Sequence, residues 1–265
     1  MSKKWVLVFI SNEPYINKAF QSIQMARQIG QWSDDIVLLV STALYKNEEV
    51  KDIAKMMNVI LREVPDRSFE NILNVWRKHP EHEDYSYVLP RGFMYNKFHI
   101  FDTFFRQWDI VFYLDAGVRI HGSLERMKRS CEPVNCIYAH SDAYPIYEWK
   151  LSTQFCLDMF ESTVEKVQML GTYNLSTDYF QTTMFIYDTQ IIEENTVDRL
   201  FELSEKYPIA RRMDQGIYNL YFLCERNLWK QIPVKDDQGF LYDYMERKPY
   251  QGRDYLILKC MYGNF

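Results

Sequence analysis

The chain has 265 residues, 47% hydrophobic and 25% charged, with few glycines and prolines. That suits one large α/β domain or two small ones and excludes long disordered linkers. A net charge of -5 without a cluster of Lys or Arg argues against a nucleic-acid groove, and no segment reaches the roughly 18 uninterrupted apolar residues that a membrane helix needs.

The opening stretch, MSKKWVLVFISNEPY, has too short an apolar run for a signal peptide and turns polar at SNEPY. It predicts a first core strand over 5–11 and a soluble, cytoplasmic protein. Five cysteines follow (Cys131, Cys136, Cys156, Cys224 and Cys260). Their odd number and the lack of a C-x-x-C pair favour reduced thiols over closure of CEPVNC into a disulfide loop.

Next, PYINKAFQSIQMARQIG places Ile16, Ala19, Phe20, Ile23, Ala26 and Ile29 at helical spacing, with Pro14 suited to the first turn and Gly30 to the C-terminal cap. Strand 35–41, helix 47–57, strand 58–64 and helix 68–79 continue the alternation. Helix 95–107 then leads into strand 110–114, which stops at Asp115. This β-α-β-α-β-α order predicts a mostly parallel sheet flanked by helices, a Rossmann-like half in which ligands meet the carboxyl ends of the strands. Farther on, the pattern predicts a long loop over 140–153, a strand over 178–188, helices over 191–207 and 214–226, and a late strand over 254–260. No repeat or linker divides the chain, so one domain is predicted, with halves 1–120 and 121–265.

Several chemistries lack their signatures. There is no glycine-rich phosphate loop, no G-x-S-x-G elbow and no H-E-x-x-H pair. HPEH, with His79 and His82, reads as a solvated helix end. What remains is Asp115 at a strand tip, followed by the small Ala116 and Gly117. A carboxylate there either starts a turn or holds a cation or ribose hydroxyl while phosphate approaches the backbone.

The ordered stretches VLVFISNEPYINKAFQSIQMARQIG, YNKFHIFDTFFRQWDIVFYLDAGVRIHGSLERM, DYFQTTMFIYDTQII and MDQGIYNLYF together resemble glycogenin and the family 8 glycosyltransferases of the GT-A fold, over about residues 4–224. The resemblance implies transfer of a sugar from a UDP-sugar to a glycan or other hydroxyl acceptor, with retained anomeric configuration. It implies a uracil cradle from Phe9, Ser11, Asn12 and Tyr15. The strand tip of Tyr113, Leu114, Asp115, Ala116 and Gly117 would border ribose and diphosphate. Lys97 is either a donor-binding residue or a solvated helix lysine, and Arg91 is a second candidate for the same anion. Gln181 would touch the donor sugar. Asp214 and Gln215 would stand at the anomeric carbon as the catalytic pair, unless Asp214 merely caps a helix. The Tyr-rich loop 141–149 would contact the acceptor.

The sequence departs from that pattern at the metal. The family's Asp-x-Asp is Asp115-Ala116-Gly117 here, and no histidine follows His140. Lys259 stands near where the late metal-binding histidine belongs. Asp115 is therefore an incomplete ligand set for Mn or Mg, and Lys259 is expected to supply positive charge at the diphosphate instead. Two rival readings are a nucleotide-sugar-binding protein without turnover and a sugar-nucleotide pyrophosphorylase. The second lacks the basic, glycine-rich loop it would need after the first strand.

Overall fold

The computed structural model describes residues 3–65, 67–142, 148–160, 162–244 and 255–259. The strands, in chain order, are β1 (Trp5–Ser11), β2 (Asp35–Val40), β3 (Ile60–Glu63), β4 (Ile110–Leu114), β5 (Val118–Ile120), β6 (Ile137–Ser141), β7 (Phe180–Asp188), β8 (Trp229–Gln231), β9 (Lys235–Asp236), β10 (Gly239–Tyr244) and β11 (Tyr255–Lys259). Seven of them form the main sheet, in the order β3-β2-β1-β4-β7-β6-β8. β1 pairs in parallel with both β2 and β4.

On β1, Val6, Val8 and Ile10 enter the core on one face of the sheet, and Trp5, Leu7 and Phe9 enter the core on the other. Burial on both faces explains why this strand is an unbroken apolar run rather than an alternating one. The chain winds from β1 out to β3 and then returns to β4 on the other side of β1. The carboxyl ends of β1 and β4 therefore flank the topological switch point, where such sheets open a crevice.

β7 runs antiparallel to β4, with Leu114 opposite Met184, so its first residues lie beside the tip of β4. β6 pairs antiparallel with β7, and β8 pairs in parallel with β6. The predicted late strand is present as β11, but it lies in a separate four-stranded sheet ordered β5-β11-β10-β9. There Lys259 pairs with Val118, three residues beyond Asp115.

Three expectations are corrected. The segment over 95–107 is not one α-helix. It lies in two 3-10 runs, Leu89–Phe101 and Thr103–Gln107, broken at Asp102, whose carboxylate caps the second run by accepting from Phe104 N at 2.8 Å. Tyr95, Phe98 and Phe101 are all buried and follow at intervals of three, the spacing that stacks side chains along a 3-10 run. The helix over 214–226 is α-helical only from Asp214 to Tyr218 and π-helical from Asn219 to Glu225. The loop expected over 140–153 begins within β6, and its residues 143–147 lie outside the described ones.

Asn219, fully buried, stands at the change of helix type. Its amide accepts from Phe180 N at 3.0 Å and donates to Phe180 O at 2.7 Å and Gln215 O at 2.9 Å. It thereby staples the start of β7 to the helix that begins at Asp214. Asn219→Ala leaves the Phe180 N–H and C=O without this partner, at about 1–3 kcal/mol for each one buried without water, while Gln215 O keeps the backbone N–H of residue 219. The expected loss is about 3 kcal/mol in urea unfolding, with an unchanged far-UV spectrum.

Candidate active site

Four charged side chains converge at the tip of β4. Lys97, only 2% exposed, lies 2.8 Å from Asp115 Oδ1 and 3.5 Å from Asp214 Oδ2. Lys259 Nζ is 3.7 Å from Asp115 Oδ2 and donates to Ala116 O at 2.9 Å. Tyr113 OH completes the shell of Asp115 with a 2.5 Å hydrogen bond to Oδ1. Asp214 accepts from Thr182 Oγ1 at 2.6 Å. Lys97 is thus a buried charge shared by two carboxylates, not a solvated helix lysine. The carboxylate of Asp214 is engaged by Thr182 and Lys97, and no side chain caps its helix.

Each position has a local cause. The β4 strand delivers Tyr113 and Asp115 to the same face by its two-residue period. Gly117 adopts φ 85, which only glycine takes freely, and its N–H donates to Ser22 Oγ at 3.0 Å. This tight turn sends the chain from Asp115 directly into β5 and so to Lys259. Before Asp214, Met213 sits at φ 47 and ψ -92, a sparsely populated conformation for a residue with a Cβ.

The electrostatics differ between the two carboxylates. Burial disfavours the Asp115 carboxylate, but Lys97 and Lys259 outweigh it and hold the group below its usual range. Burial dominates at Asp214 and raises it, despite Lys97 and the Thr182 hydrogen bond. Burial would lower Lys97, yet Asp115 and Asp214 together raise it. Lys259 is lowered by burial, and Lys97 adds to that.

Gln215 is held on every side. Its Oε1 accepts from Thr182 N at 3.3 Å, and its amide donates to Gln154 Oε1 at 2.9 Å and Asp142 Oδ2 at 3.3 Å. Gln181 Oε1 accepts from Tyr242 OH at 2.9 Å and from Thr183 Oγ1. The alternation of β7 thus turns Gln181 and Thr183 toward Tyr242 and Thr182 toward Asp214.

The first-strand residues stand at the same sheet edge. Phe9 and Leu114 are core side chains, so only their backbones can border a ligand. Ser11 donates to Asn12 O at 3.1 Å. Asn12 is half-buried in extended backbone, and Tyr15 is 41% exposed at the end of a 3-10 turn. Ala116 faces Lys259. Arg91 stands apart from the quartet, donating to Tyr87 O at 2.7 Å with its guanidinium 4.1 Å from the Tyr87 ring centre. Sequence reasoning missed Tyr242 and Gln154, whose partners are remote in the chain and carry no local signal.

A divalent cation does not fit at Asp115. Such an ion wants about six oxygen ligands, and here two ammonium groups and a phenol already surround the lone carboxylate. His82, Asp84 and Cys156 do place ligand atoms within 4.8 Å of one another. His82 packs edge-on against Trp76 with ring centres 5.5 Å apart, so it is not the solvated helix end expected. Asp84 is taken by Arg211 at 3.1 Å and Arg212 at 2.9 Å. Burial pushes the Cys156 thiol up to about 12, away from the thiolate a metal needs. Cys131 and Cys136 are buried free thiols, and Cys156 and Cys224 are free as well. Cys260 lies outside the described residues. Among those residues no helix is long and apolar enough to cross a membrane.

No family model and no curated protein matches the chain. Solved structures do. WbbM, a bifunctional glycosyltransferase in its apo form, aligns over 100% of this chain with a TM-score of 0.60 at 16% identity, and the chain spans 47% of WbbM. The galactosyltransferase LgtC, in complex with donor and acceptor sugar analogues, aligns over 91% of this chain and 76% of its own, with a TM-score of 0.55 at 14% identity. Core-mannan synthase A (CmsA/Ktr4) from Aspergillus fumigatus, in an Mn/GDP form, aligns over 87% of this chain and 73% of its own, with a TM-score of 0.50 at 9% identity. The chain has the GT-A glycosyltransferase fold.

A carboxylate held below its usual range stabilises the fold above about pH 4, the ordinary Asp value, and that contribution is lost as pH falls through the folded value. A carboxylate held above its usual range has the opposite sign: its contribution is present at low pH and lost as pH rises through the folded value. At pH 7, Asp115→Asn is therefore expected to lower the urea midpoint and Asp214→Asn to raise it. Denaturation of the two variants beside the unaltered protein checks both signs.

Proposed function

We infer that the protein is a nucleotide-sugar-dependent glycosyltransferase of the glycogenin-like, family 8 type. One domain uses residues 1–120 for the nucleotide and 121–265 for the acceptor. The convergence of Lys97, Asp115, Asp214 and Lys259 at the switch point carries this reading. A UDP-sugar would place its base against Asn12 and Tyr15 and the backbone of Phe9 and Ser11. Its ribose and diphosphate would lie along Tyr113–Gly117, with Gln181 beside the sugar.

Transfer proceeds by front-side displacement. The bond from the anomeric carbon to the diphosphate oxygen breaks as the acceptor oxygen bonds to the same face, and the acceptor proton passes to the departing diphosphate. Lys97 and Lys259 stabilise the charge that develops on the leaving group, in a site already organised to do so. Asp214 faces the anomeric carbon and stabilises its developing positive charge. Gln215 is fixed by Thr182, Gln154 and Asp142 and holds the floor beneath the transferred sugar. No protein nucleophile is invoked; positioning and charge supply the acceleration. Because the ligand set at Asp115 does not fit Mn or Mg, no step runs through a metal.

Calorimetry of UDP in EDTA and in manganese tests the electrostatic part. UDP is expected to bind equally in both, and Lys259→Ala is expected to weaken it about tenfold, or ~1.4 kcal/mol. Loss of binding in EDTA with an unaffected Lys259→Ala would mean an ordinary metal site. In a transfer assay, Asp214→Asn should keep UDP affinity and lose at least a hundredfold in kcat. UDP binding without turnover under any acceptor would leave the non-catalytic binding reading.

A further inference from the structure

Beside the quartet lies a second constellation that transfer of a neutral sugar does not require. Tyr87 carries two guanidinium groups against one ring, with Arg91 4.1 Å and Arg212 4.6 Å from its centroid. Arg212 is satisfied by Asp84 at 2.9 Å, which it shares with Arg211, and Arg211 also binds Glu83 at 2.7 Å. Three arginines thus face two carboxylates. Arg91 is the cation left over: its hydrogen bond is to the neutral Tyr87 carbonyl at 2.7 Å, and it has no carboxylate partner among the described residues. The Tyr87 hydroxyl likewise has no hydrogen-bond partner among them.

The constellation is tied to the reacting centre through both segments that build it. Arg91 sits at a kink in the 3-10 run Leu89–Phe101, with φ -114 and ψ 19, six residues before Lys97. Arg212 is two residues before Asp214. The Tyr87 phenol feels Arg212, Arg91, Asp214 and Lys97, with burial the largest influence on it. A planar, unpaired guanidinium beside a free phenol is a fork for carboxylate or phosphate oxygens.

We propose that Arg91 and Tyr87, with Arg212 stacked behind the ring, form a specificity subsite for a carboxylate or phosphate carried by the acceptor sugar. The proposal rests on the glycosyltransferase reading. The anion lies one sugar-binding step outward from Asp214, with Arg91 donating in bidentate fashion and the Tyr87 hydroxyl donating a third hydrogen bond. The acceptor hydroxyl is thereby turned toward the anomeric carbon.

The test is calorimetry on the UDP-saturated protein with methyl glucuronide, methyl phosphate and methyl glucoside as probes. Methyl glucuronide is expected to bind at least tenfold more tightly than methyl glucoside and to weaken with added salt. That preference should vanish in Arg91→Gln and fall severalfold in Tyr87→Phe, which keeps the stacked ring. Because each figure is a ratio within one variant, a general loss of folded protein cancels. Binding of methyl phosphate abolished by Arg91→Gln supports the same subsite. Equal affinity for the charged and neutral sugars, absence of binding by both anions, or a preference that survives Arg91→Gln overturns it. A parallel comparison of UDP-glucuronate with UDP-glucose separates the sources. If Arg91→Gln selectively weakens UDP-glucuronate, the anion belongs to the donor and the acceptor assignment fails. Failure of UDP itself to bind would instead sink the glycosyltransferase reading, since the anionic probes can be titrated without it.

Discussion

The Lys97 ammonium holds the site together. It is the group in contact with both carboxylates, at 2.8 Å from Asp115 and 3.5 Å from Asp214. Asp115 belongs to the tip of a central strand, and Asp214 to a helix a hundred residues later. Two buried carboxylates facing each other without a cation would each be driven toward protonation. With Lys97 between them, Asp115 stays ionised and Asp214 is destabilised less than burial alone would make it. Breaking a buried pair by removing one partner costs about 3–5 kcal/mol, so the fold and the site share one constraint here.

The small second sheet adds the fourth charge. Gly117 turns the chain immediately after Asp115, β5 pairs with β11, and that register sets Lys259 against the same carboxylate. Two ammonium groups and two carboxylates make the quartet formally neutral. An arriving diphosphate would displace part of the carboxylate–ammonium contact and meet cations already in place. Lys259 is lowered by burial, with Lys97 adding to the effect; an incoming anion favours its charged form and relieves that pressure. In the proposed reaction these fixed side chains would supply the charge neutralisation that a bound ion supplies elsewhere.

Much of this was legible in the sequence, for physical reasons that differ by element. The β1 to β4 half was readable because its strands are buried on both faces and its helices are amphipathic, so apolar periodicity reports them directly. Motif order in the sequence points to Asp115, Lys97, Asp214 and Lys259. The 3-10 run was misread because Tyr95, Phe98 and Phe101 fit a helix of either kind, and only packing selects three residues per turn. The small sheet was mostly missed because β9 has two residues and β5 three, too short to show a period. Arg91 reads from the sequence only as a second candidate for the anion that Lys97 would meet. Its stack on Tyr87 is local, four residues apart, whereas the second guanidinium on that ring, Arg212, comes from more than a hundred residues away.

Strain and satisfaction are distributed unequally around the reacting centre. Gln215 has its amide oxygen and nitrogen engaged by Thr182, Gln154 and Asp142, so it is rigid and suited to positioning. Asp214, one residue earlier, follows a backbone strained at Met213 and carries a carboxylate raised by burial. An ionised group that the fold disfavours is one that a developing positive charge can stabilise, because the interaction available in the transition state is absent beforehand. Asp115 has the opposite character, already ionised and fully engaged, and so has little left to gain as charge develops at the sugar. In the proposed reaction, two aspartates that share one lysine would thereby divide into a structural anchor and a reactive group by what else surrounds each of them.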